Sequence, residues 1–167
     1  YQDILVKLES FIRKFYIKKL IKGVFLFLTF GLLFWLVVLS FEYALWLNES
    51  WRMTLFLLFI VVEGYFLYRF VVVPLLYLFQ LRKGIDNREA SRLIGKYFPD
   101  VDDRLLNLLE LSENTHKSDL LMASIDQRAK NLGPVPFSDA VKFKESYGYA
   151  KYILIPLVIV GFIWIAG

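Results

Sequence analysis

The sequence predicts an all-α integral membrane protein: a basic amphipathic amino-terminal helix, a two-span helical hairpin, a small helical insert and a third transmembrane helix. Three observations predict it. The 167 residues are 57% hydrophobic and 18% aromatic, with sixteen Phe and ten Tyr, more than a soluble domain of this length needs or can hide. Three long apolar runs recur along the chain. Outside them no alternating strand pattern of useful length occurs, and apolar residues return at helical spacing.

Residues 1–22 form the first element. Ile4, Leu8, Phe11, Ile12 and Phe15 share one helical stripe, and Lys7, Lys14 and Lys18 share another. With Arg13, Lys19 and Lys22 the segment carries six basic residues against Asp3 and Glu9. Such a helix lies on the inner leaflet, its lysines near anionic lipid head groups, or packs on the insert; anchoring on the leaflet is the favoured expectation. The run abuts an apolar span, which disfavours nucleic acid as its partner.

The first span is expected at 24–47 and the second at 53–79, each long enough to cross the ~30 Å hydrocarbon core. Glu42 lies near the far end of the first and can reach the interface. Only "NESWR", residues 48–52, separates the spans, so they fold as a tight antiparallel hairpin with Trp46 and Trp51 at an interfacial belt. Pro74 is expected to kink the second span. The insert, 80–148, reads as a helical bundle. Asp86 or Asn87 caps a first helix with Ala90, Leu93, Ile94, Tyr97 and Phe98 on one face. Asp100 caps a second, with Leu105, Leu108 and Leu109 inward; Ser118 caps a third, which Gly133 and Pro134 end. "GPVPFSDAVKF" is expected as a loop leading into the third span, 149–167, which is short for a crossing and is expected to continue past Gly167.

Basic residues set the orientation. The amino-terminal segment has six, the 80–151 segment twelve, including Arg82 and Lys83 beside the second span, and the hairpin loop only Arg52. The positive-inside rule then places the amino terminus and the insert in the cytoplasm and the carboxy terminus outside.

Glu63 is the sharpest functional candidate. A charged side chain at mid-bilayer costs about 2.5 to 3.5 kcal/mol, so its presence calls for a role. It can fix helix packing or a subunit contact, helped by the close approach that Gly64 allows, it can handle protons or ions, or it can be an incidental, partly solvated carboxylate. Arg69 is about 240° further round the helix at ~100° per residue, so it is a polar neighbour but not a same-face partner, and can snorkel to the interface. Thr29 and Ser40 on the first span are possible polar contacts. In "PDVDDR", Asp100 reads as a cap and Asp102 and Asp103 as favourable charges in a helix's first turn; their spacing matches no calcium loop. With no Cys and one His, His116 in a polar loop, the chain has no thiolate chemistry and no multi-His site of its own. No phosphate loop, nucleophile elbow or zinc motif occurs, so no cofactor and no enzyme activity are expected.

The order of parts, with "REASRLIGKYFPDVDDRLLNLLEL" after the hairpin and "LLMASIDQRAKNLGPVPF" before the third span, resembles the amino-terminal region of domain-of-unknown-function family 4175, an uncharacterised bacterial membrane family. Glu89 and Ala90, Pro99, then Asp103, Arg104 and Leu105 match that family's motifs in order. Where its members have "LPHRP"-like turns this chain has "FPDVD", so that His has no counterpart here. The resemblance implies a longer protein with an extracytoplasmic region after the third span, in a bacterial inner membrane, and carries over no catalytic residues. The expected role is an anchor or scaffold subunit of an envelope complex, with a protein partner or homo-oligomer through the membrane helices. The alternatives are a subunit of an energised, proton- or ion-coupled assembly using Glu63, and a protein passing a signal across the membrane.

Overall fold

A computed structural model describes residues 1–80, 82–113 and 118–166. Among these every regular element is helical: α1 (Gln2–Leu45), α2 (Glu49–Leu67), α3 (Val73–Leu78), α4 (Asn87–Gly95), α5 (Pro99–Glu113), α6 (Asp119–Leu132), α7 (Lys144–Tyr147) and α8 (Ala150–Ala166). Three stretches, Gln2–Leu45, Glu49–Leu78 and Phe137–Ile165, are long and apolar enough to cross a membrane. The chain divides into two compact units, Tyr1–Tyr16 with Gln80–Lys142, and Ile17–Phe79 with Phe143–Gly167. The amphipathic segment and the first span are therefore one helix, α1, which contributes to both units.

The first unit has a core of ordinary soluble character. Ile4, Leu8 and Phe11 from α1 are buried with Ala90 and Ile94 of α4, Leu105 and Leu108 of α5, and Ile125 and Leu132 of α6. Each such side chain contributes about 1.5 to 3 kcal/mol on full burial. The stripe expected to lie on lipid is thus packed on the insert. Lys7 is held there too: its ammonium donates to the Gly133 carbonyl and, at 3.3 Å, to that of Val135, where α6 has ended and its last carbonyls lack helical partners. The buried Tyr16 hydroxyl accepts from the Ile85 amide at 2.7 Å. Gly84 leaves room for it, because a Cβ there would come within 2.7 Å of the Tyr16 oxygen.

The local signals of the insert differ in detail from expectation. Asp86 caps α4, accepting from the Asn87 amide at 2.7 Å, and Ser118 caps α6, accepting from Leu121 at 3.2 Å. Pro99 is the first residue of α5, since its fixed φ and missing N–H suit the first helical position. Asp100 is consequently not a cap; it sits with Asp102 in the first turn, and Asp103 follows one residue later. Tyr97, expected inward, is exposed. The segment expected as a loop winds into a short 3₁₀ turn, Phe137–Ala140, that buries Phe137 and Ala140. The polar loop 114–117, with His116, lies outside the described residues.

In the second unit, α1 ends at Leu45, and the next residue, Trp46, turns the chain out of the helix with a φ of 45°. Asn48 then caps α2, its side chain accepting from the Trp51 amide at 3.1 Å, so α2 begins at Glu49 rather than at Met53. The turn is shorter than expected because a cap and an acidic first residue already favour helix at 48–49. Near the other end, a π-helical turn, Tyr68–Val72, directly precedes α3, which carries Pro74. Pro74 offers no N–H to the Phe70 carbonyl, and the wider turn accommodates this: the Val73 amide bonds the Tyr68 carbonyl, five residues back.

Candidate functional site

The site is built on the pairing of α1 with α2. Along the hairpin, Gly23 faces the Phe70 carbonyl and Phe30 meets Phe66 and Phe70 at ring distances of 5.7 and 6.1 Å. Next, Gly31 receives Glu63, Phe34 lies parallel to Phe59 at 6.0 Å, and Glu42 pairs with Arg52 at 2.7 Å. As α1 advances from Gly23 to Glu42, its partner on α2 and the π turn after it retreats at the same rate, so this stretch holds one antiparallel register.

Glu63 sits in the middle of that register. A Cβ added at Gly31 would come within 2.6 Å of Oε1 and 3.0 Å of Oε2, so the carboxylate occupies the space that the glycine leaves. Its Oε1 is buried and has no hydrogen-bond partner among the described residues. The glycine that permits this approach is Gly31, on the opposite helix. Gly64, expected to serve close packing, has open space around it.

The other polar candidates do not converge on Glu63. Thr29 and Ser40 each donate to their own helix, to the carbonyls of Phe25 and Leu36, both at 2.8 Å. Arg69 stands exposed in the π turn and forms no ion pair with Glu63. Asp100 and Asp103 are exposed, while Asp102 packs so tightly under the end of α4 that a Cβ on Gly95 would overlap it. Among the described residues no group of three or more His, Cys, Asp or Glu is placed to hold a metal.

The basic residues fall into two kinds. Lys18 pairs with Glu145 at 2.6 Å, next to Ser146, whose buried hydroxyl donates to the Lys18 carbonyl at 3.1 Å. Lys22 stands 4.5 Å from the Tyr149 ring centroid, a cation–π contact. These two fasten the start of the third span to α1. Arg13, Lys19, Arg82 and Lys83 are exposed and Lys14 is half-buried.

The Gly31–Glu63 contact and the Glu42–Arg52 pair were not anticipated. One signal could have found both: in a hairpin with a tight turn, residues equally far from the turn face each other, and Gly31 and Glu63 are equidistant in sequence from Leu47. Comparison with family models, with characterised proteins and with solved structures returned no match.

Proposed function

We propose that the chain is a non-enzymatic membrane anchor or scaffold subunit, in which the hairpin and third helix tether a soluble helical unit to a bacterial inner membrane. The observation that carries this is the seat of Glu63. Its carboxylate fills the notch at Gly31 within one continuous hairpin register, as a packing contact does, and among the described residues no second polar side chain joins it to form a path. The resemblance in motif order to family 4175 supports the envelope setting, and the excess of basic residues at 1–22 and 80–151 supports a cytoplasmic first unit.

A second role, proton or ion handling within a larger assembly, is favoured by one observation, the buried Oε1 without a partner. Glu63→Gln separates the two, because it keeps shape and hydrogen bonding but cannot titrate. In proteoliposomes holding a pH gradient, an anchor leaves wild type and Glu63→Gln indistinguishable from protein-free vesicles. Faster collapse of the gradient with wild type than with Glu63→Gln contradicts the anchor.

A further inference from the structure

At the turn end of the second unit, α1 and the last turns of α8 enclose a groove of about 830 Å³, a size typical of small-molecule sites. Its deeper wall is apolar, formed by Leu36 and Leu39 of α1 and by Val160 and Ile163 of α8. Towards the turn the wall becomes polar, where Glu42 and Arg52 stand as an ion pair. Both remain accessible, at 35% and 62% exposure. Trp35, Trp46 and Trp164, three of the four tryptophans, line the groove; Trp35 stands beside the deeper apolar wall, and Trp46 lies at the turn, where aromatic residues mark a membrane interface.

An apolar trough that ends on adjacent opposite charges has the polarity of one lipid in that leaflet, tail inward and head at the turn. We propose that the groove binds a phospholipid with a zwitterionic headgroup carrying an ammonium. Arg52 uses Nε for Glu42, and a guanidinium has further N–H groups for a phosphate. The ammonium meets Glu42. Charge favours such a lipid over an anionic one: the head site carries one carboxylate, Glu42, and one cation, Arg52, which match an ammonium and a phosphate together, while Glu49 in the adjoining pocket adds further negative charge nearby. The acyl chain lies along Leu36, Leu39 and Val160. The proposal rests on the fold alone, and is independent of the anchoring role.

Tryptophan quenching by brominated lipids tests it, with the full chain carrying Trp51→Phe so that only the three groove tryptophans emit. Phosphatidylglycerol vesicles containing a minor fraction of brominated phosphatidylethanolamine are compared with the converse mixture, in which the phosphatidylglycerol is the minor, brominated lipid. Brominated phosphatidylethanolamine is expected to quench severalfold beyond its mole fraction, and brominated phosphatidylglycerol no more than in proportion. Arg52→Gln should remove the excess by weakening the head site. Val160→Phe should remove it by filling the trough without touching the ion pair, and so carries the test if Arg52→Gln fails to fold. Proportional quenching by both lipids, preference for phosphatidylglycerol, or an excess surviving both substitutions overturns the proposal. Quenching below proportion by both also overturns it, and assigns the groove to a protein helix instead.

Discussion

The carboxylate of Glu63 lies against Gly31 of the facing helix, with no room for a methyl group between them. Gly31→Ala should therefore force Glu63 aside and cost about 1 to 3 kcal/mol, the usual penalty of overpacking. Combining it with Glu63→Ala should recover part of that loss, since the added methyl then meets a vacated space. Unfolding of the four proteins of this double-mutant cycle in mild detergent checks the coupling; strictly additive losses would remove the contact from the account.

Gly23→Ala should be worse than Gly31→Ala. Its added Cβ would overlap the Phe70 carbonyl oxygen, which is backbone and cannot swing away as the end of Glu63 can. Gly64→Ala is the control: nothing lies within 4 Å of it, and alanine is the better helix former by about 0.8 to 1 kcal/mol. The expected order of stability in the same detergent assay is Gly64→Ala, then Gly31→Ala, then Gly23→Ala. Any other order contradicts the hairpin register.

Leu8→Ala distinguishes packing from membrane anchoring at the amino terminus. Leu8 is fully buried in the first unit, so truncation should destabilise that unit by about 2 to 5 kcal/mol and leave membrane retention unchanged. Urea unfolding followed by proteolysis of the insert reads the first quantity, and alkaline extraction of membranes the second. Lost retention with an unaltered insert would restore the leaflet-bound helix.

Lys7→Met keeps the apolar stem and removes the ammonium that donates to Gly133 and Val135. The freed carbonyls lose a charged donor, and the expected cost is about 1.5 to 3 kcal/mol in the same urea assay. Lys14→Met, at a half-buried position without those carbonyls, should change little by comparison.

The membrane class and element order were legible because they follow from composition and period. Apolar runs of bilayer length, a cap at Ser118 and the Leu105, Leu108 and Leu109 face are all local patterns. What covers a face is not local. The spacing of Ile4, Leu8 and Phe11 demanded burial, but lipid and the insert satisfy it equally well until the chain is folded. The same limit applied to Pro74, where the sequence announces a missing N–H but not the π turn, Tyr68–Val72, that accommodates it. Glu63 was legible as an anomaly. Its partner needed the hairpin register, which the exact end of α1 at Leu45 and the cap at Asn48 determine.

Native mass spectrometry of the protein, extracted in mild detergent from its own membrane, tests the anchoring role most directly. It would be run on wild type, Glu63→Gln and Gly31→Leu. The expected result is a defined oligomer or partner complex in wild type and Glu63→Gln, lost in Gly31→Leu, where the bulky side chain separates the hairpin. A bare monomer in all three would contradict a scaffold held together through this hairpin.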